Sequence, residues 1–210
     1  MKMYKKVMAA ALAGVMTVSM SATAFAADVD GYILKATNED SKSSDNDLVI
    51  AIEGSVSSMD PANIPDTNAI SATRGVYETL VSFDENQDLT GKLAESWEVS
   101  DDSLTYTFKL RQGVKFQDGT DFNAAAVKAN YDRVVNKDNN LRQRRTFIVT
   151  NEDGSETPRV DSIETPDDDT LVIKLTQAWA PFINRLTQFC IISPAALEEY
   201  GNDIMNHPCG

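Results

Sequence analysis

Few residues in this chain have the types or spacing for catalysis. His207 is the only histidine. An H-E-x-x-H metal site is therefore excluded, because it needs two. Cys209 lies two positions further on, but a Cys–His pair on one short loop has no third group to orient the base. There is no G-x-S-x-G, no S-x-x-K and no glycine-rich phosphate loop. Asp84-x-Asn86-x-Asp88, with Glu95 at the twelfth position, imitates a calcium loop. Its sixth position is Leu89, where the sharp turn requires glycine, so a solvated acidic turn is the simpler reading. The acidic run "PDDDT" over 166–170 reads as a turn between strands. "RQRR" over 142–145 is either a place for an acidic ligand or a solvated basic loop. Cys190 and Cys209 fit no zinc spacing. They form one disulfide in an oxidising compartment, or they are two separate core residues. No catalytic residue, no metal and no cofactor is expected.

The elements around these residues are mostly strands and turns. "DLVIAIEG" starts the ordered part, with Leu48, Val49, Ile50 and Ile52 in a buried strand. The Ser-, Asp- and Pro-rich run "SVSSMDPANIPDTN" is a loop. In "AISATRGVYETLVSFD", Ile70, Arg74, Val76, Tyr77 and Leu80 stand near helical spacing and predict a helix. "FDENQDLTG" is a turn region. A hairpin follows, with Leu104, Tyr106, Phe108 and Leu110 on one face and Thr105, Thr107, Lys109 and Arg111 on the other. Asn123 is placed to cap a helix with Val127, Tyr131, Val134 and Val135 as its apolar stripe. Residues 136–158 read as loop. "RVDSIETPDDDTLVIKLTQ" is a second hairpin with Leu171, Ile173 and Leu175 inward. "APFINRLTQ" is a short helix, "FCIISP" a strand, and "PAALEEYG" a helix closed by Gly201. The class is mixed, α/β or α+β, with no internal repeat.

Bulk properties narrow the setting. Lys2, Lys5 and Lys6, an apolar run over 7–18 and Ala24-Phe25-Ala26 form a secretory signal, with cleavage expected after Ala26. The run is well short of the ~20 residues that a spanning helix needs. No cysteine stands near the cleavage site, so a lipid anchor is not indicated. Residues 27–47 are polar and acidic and read as a disordered lead-in. Removing three lysines with the signal takes the formal charge from −13 to −16. Such a surface repels nucleic acid and anionic membranes. The expectation is a soluble, exported protein. The loop-like ending "NHPCG" points to a longer protein.

One long segment carries a specific resemblance. "GVYETLVSFDENQDLTGKLAESWEVSDDSLTYTFKLRQGVKFQDGTDFNAAAVKANYDRV", over 75–134, resembles the signature region of the extracellular solute-binding proteins of family 5. These are the peptide, nickel and glutathione receptors of ABC importers. The likeness extends from "SMDPAN" through "APF" and "ISPAALEEYG" into "HPCG", where Cys209 stands in place of the usual aliphatic residue.

The resemblance implies a periplasmic-binding-protein-like fold of two lobes, with only the N-terminal part of the first lobe present. It assigns 48–66 and 195–210 to the base of that lobe and 67–194 to its accessory subdomain. The patterned hairpins are then scaffold, with Trp97, Tyr106 and Phe108 in the core. The "SVSSMDP" loop and the "QFCII" segment would face the cleft, so Ser57, Ser58, Met59, Gln188 and Cys190 are the implied ligand contacts. Cys190 and Cys209 would lie in one region, compatible with a disulfide. The implied role is a periplasmic or secreted receptor that hands a small peptide, peptide-like ligand or metal chelate to a membrane permease and its ATPase. It would be monomeric at full length and meet the membrane only through the permease. A secreted hydrolase, or an exported sensor or interaction protein on the same fold, is the alternative.

Overall fold

The computed structural model describes residues 52–210. The expected signal peptide, the lead-in and residues 48–51 of the first expected strand lie outside the described residues; Ile52, also expected in that strand, is half-buried and in no strand.

The centre of the fold is a four-stranded antiparallel sheet, in the order β3-β4-β8-β7. Its strands are β3 (Ala94–Val99), β4 (Thr105–Leu110), β7 (Val160–Asp167) and β8 (Thr170–Leu175). Both expected hairpins are present, and they pair through β4 and β8. Tyr106 stands opposite Ile173 and Phe108 opposite Leu171, and all four are buried. Residues directly opposite in a ladder share a face, so this register builds one apolar side from two hairpins about sixty residues apart. Thr105, Thr107 and Lys109 take the other side and stay wholly or partly exposed. Trp97, opposite Phe108, packs half-buried against the same core.

Helix α2 (Ala124–Val135) covers the apolar side; the shorter α1 (Thr67–Thr73) precedes the sheet. Asn123 starts α2 by accepting from the Ala126 amide at 2.9 Å. Val127 and Val134 are buried, and Tyr131 packs edge-on against Phe147. Phe147 ends α3 (Arg144–Phe147). Helix α4 (Phe182–Leu186) adds Phe182, whose ring meets Tyr106 edge-on at 4.8 Å. Helix α5 (Pro194–Tyr200) starts on Ser193 and stops at Gly201, whose φ of +52° favours glycine.

Three regions depart from the sequence expectation. The helix expected through 69–84 ends at Thr73. Beyond it the chain turns and enters β1 (Val81–Phe83), which pairs with β2 (Leu89–Gly91). Valine, threonine and aromatic residues in this run favour a pleated partner over a helix. Asp84 closes the hairpin by accepting from the Asn86 and Asp88 amides, so the calcium-like motif is a turn device here. A Cβ at Gly91 would strike the Ala94 carbonyl, so this position requires glycine.

The expected loop over 136–158 contains α3 and a small hairpin of β5 (Ile148–Thr150) and β6 (Glu156–Pro158). Arg144 of "RQRR" is not a free cation there. It makes a two-pronged pair with Glu156, at 2.6 and 2.7 Å.

"FCIISP" is extended but is not a strand. It makes one isolated bridge, Cys190 to Thr79. The reason is a side chain in a strand's place: Asn130 of α2 donates to the Ile192 carbonyl at 2.7 Å and accepts from its amide at 3.0 Å. Ser193 then donates its amide to the Cys209 carbonyl at 3.0 Å.

Candidate functional site

The implied ligand contacts fall on two irregular segments, and each segment is fixed by side chains from elsewhere. The first carries Ser57, Ser58 and Met59. Ser57 is exposed and donates to Asp66 Oδ2 at 2.5 Å. Asp66 also caps α1 through the Ala69 amide, and these two donors, Ser57 first, hold its carboxyl below the usual range. Ser58 and Met59 are half-buried, and the Ser58 hydroxyl accepts from the Asp60 amide at 3.1 Å.

Asp60 is the anchor of this segment. It is only 5% exposed and caps the 3₁₀ turn Pro61–Asn63. Arg133 of α2 grips both of its oxygens, at 3.1 and 2.6 Å. Burial of a lone carboxylate is costly, and a two-pronged guanidinium is the partner that makes it tolerable.

The second segment carries Gln188 and Cys190. Gln188 is exposed, and its backbone carbonyl accepts from Gln143 Nε2 at 2.7 Å. Cys190 is half-buried, and burial pushes its thiol up to about 11, with Arg74 offsetting a small part. A thiol so raised is protonated at neutral pH and is a poor nucleophile. Its position favours packing or contact over chemistry.

Tyr77 lies between the segments electrostatically. Burial, and then the Asp60 carboxylate, push its hydroxyl well above the ordinary tyrosine range. The Cys209 amide offsets part of that shift without reaching hydrogen-bond geometry, and the buried hydroxyl has no hydrogen-bond partner.

Cys190 and Cys209 are both free thiols in this structure, the second of the two readings that the sequence leaves open. Cys209 is held by the Ser193 amide, which donates to its backbone carbonyl. Cys190 is held by its bridge to Thr79. Each cysteine is fixed by a different neighbour, and no bond joins them.

Two tethers link the segments. Asn130 and Arg133 lie on α2 and hold Ile192 and Asp60 respectively. Gln143 donates its amide to the Ala62 carbonyl at 3.0 Å and its side chain to Gln188. Sequence reasoning did not find Asp60, Asn130, Arg133 or Gln143. The partners that tie the segments are 45 or more positions away, and no local pattern marks such a pairing.

A second concavity, of about 490 Å³, lies beside α5 and is lined by Gln117, Asp118, Thr120, Tyr200, His207 and Cys209 among others. His207 stacks on Tyr200 with ring centres 4.1 Å apart and faces Asp203 at 3.3 Å. Among the described residues no group of three or more His, Cys, Asp or Glu is placed to hold a metal ion. No described helix is long and apolar enough to cross a membrane.

The described residues thus form antiparallel hairpins capped by helices, with two loop segments tied to α2 and to Gln143. Residues 88–210 match the family model described as "Bacterial extracellular solute-binding proteins, family 5 Middle". The chain belongs to this family. It is 42% identical over 166 residues to the glutathione-binding protein GsiB of Salmonella typhi, covering 78% of this chain and 30% of that protein. Its structure resembles the periplasmic binding protein AgaA of A. tumefaciens R10, solved with agropinic acid. That match has a TM-score of 0.66 and 28% identity, and covers 75% of this chain and 30% of the other. It also resembles the ABC transporter-associated periplasmic binding protein DppA of Helicobacter pylori, solved with the peptide STSA. There the TM-score is 0.58 with 30% identity, over 73% of this chain and 33% of the other. The chain thus spans about a third of the length of these relatives.

Proposed function

We propose that this protein is the extracytoplasmic solute receptor of an ABC importer and that its ligand is a small peptide or peptide-like molecule, with glutathione the first candidate. The observation that carries the reading is the 42% identity to glutathione-binding proteins over most of the chain. The absence of a nucleophile–base pair among the described residues is in keeping with a receptor. On this reading, 48–66 and 195–210 belong to the base of a lobe and 67–194 to its accessory subdomain. Ser57, Ser58, Met59, Gln188 and Cys190 face the ligand. Capture then proceeds by closure around the ligand, with contacts to both sides biasing the closed state.

The test is calorimetric titration of the protein expressed from its complete gene with glutathione and with di- to pentapeptides. One site per molecule is expected for glutathione. Ser58→Ala and Gln188→Ala should each weaken binding by about 3- to 10-fold, the range for one lost hydrogen bond. Heat signals absent for every one of these ligands would sink the receptor reading as stated. Turnover of any of them would favour the hydrolase alternative.

A further inference from the structure

We propose that Asn130, Arg133 and Gln143 are positioning residues that set the spacing between the two ligand-facing segments; the proposal rests on the receptor reading given above.

The two segments cannot position themselves. Residues 57–59 and 188–190 lie about 130 positions apart, and neither belongs to a regular strand or helix. A loop left to fluctuate pays its ordering cost when the ligand arrives, which weakens binding. Here that cost is met in advance by side chains.

Asn130 and Arg133 are three positions apart on α2, a spacing that puts them on neighbouring turns of one face. One takes the backbone of Ile192 from both sides. The other takes Asp60 by both carboxylate oxygens. A helix fixes the rise between two such positions at about 4.5 Å. The anchor points of the two segments therefore inherit a rigid separation.

Gln143 closes the device from outside. Its amide holds Ala62, just past the first segment, and its side chain holds the carbonyl of Gln188 in the second. Phe147, one turn along α3, packs edge-on against Phe189 at 5.3 Å and keeps α3 in place. "RQRR" is thus a tie between walls: Arg144 secures it to Glu156 while Gln143 spans the segments.

Asn130 and Arg133 are buried or nearly so, and their loss would loosen the whole unit. Gln143 separates positioning from stability, because its bond to Gln188 is solvent-exposed and its side chain adds little to the core. The experiment uses the protein from its complete gene, as wild type, Gln143→Ala and Gln143→Glu. Three quantities are read: amide hydrogen exchange without ligand, thermal unfolding, and affinity for glutathione as the probe. Both variants should raise exchange at 188–191 by about five-fold or more, with 58–62, still held by the Gln143 backbone amide and by Arg133, and distant amides in β4 and β8 unchanged. The unfolding temperature should stay within about 2 °C, and affinity should fall by about 3- to 10-fold. Unchanged exchange at 188–191 would overturn the proposal. So would raised exchange with unaltered affinity in a wild type that binds, or a rise spread across the unit with a large drop in unfolding temperature. A wild type that ignores glutathione while exchange responds as expected would support the clamp and remove that ligand.

Discussion

Asp118 shows what a few hydroxyls do to an exposed acid. Burial acts to raise its pKa, but donation by Ser193 and Thr120 outweighs it and holds the carboxyl at about 2. Ser193 is fully buried and also caps α5, so this cluster ties the turn at Gly119 to the start of a helix and to Cys209. Depression of a folded-state pKa stabilises the fold above the unfolded value, here 3.8, and that stability is lost as pH falls through about 2. Thermal unfolding measured between pH 5 and pH 2 should therefore fall more steeply for wild type than for Asp118→Asn. Asp169, held well below the usual carboxylate range by Lys109 and Gln112, contributes to the background slope in both proteins. Parallel curves would show that the cluster does not contribute. The other charged contacts differ in kind. Lys174–Glu164 and Lys128–Asp132 are exposed pairs at 2.6 and 2.5 Å, screened by solvent and of little consequence for stability. Arg133–Asp60 is nearly dry, and removing one partner strands a buried charge.

At the scale of elements, legibility follows the range of the interactions. The alternation through Leu104–Leu110 and Leu171–Leu175 was readable because a half-buried strand repeats every two residues whatever its partner. The Asn123 cap was readable because a cap acts over three positions. Replacing Asn123 by alanine should cost about 1 kcal/mol in a denaturant titration. A loss under about 0.3 kcal/mol would mean that packing alone starts α2. The stretch after Thr73 was misread because helical spacing and a strand–turn–strand path coincide over so few residues, and pairing with Leu89–Gly91 decided it. "FCIISP" was misread as a strand for the opposite reason: its backbone needs are met by Asn130, a residue 62 positions away. The candidate site was legible only as a pair of segments carried by resemblance. The ties that hold those segments are long-range and leave no periodic trace in the sequence.

At the scale of the molecule, the acidic balance and the N-terminal pattern point the same way. Export needs a basic start, an apolar run too short to remain as a span, and small residues at the cut. Lys2, Lys5, Lys6, residues 7–18 and Ala24-Phe25-Ala26 supply these in order. Loss of the three lysines would deepen the formal charge from −13 to −16. On the proposed reading, a receptor so charged would have no electrostatic hold on an anionic lipid surface. Peripheral attachment through basic side chains is thereby disfavoured, and the remaining competitor is an uncleaved N-terminal anchor. The two arrangements leave different N-termini. N-terminal sequencing of protein recovered from the extracytoplasmic fraction should begin at Ala27 or Asp28. Recovery of the chain with Met1 intact, in a membrane fraction that survives a high-salt wash, would overturn export with cleavage and leave the anchored form.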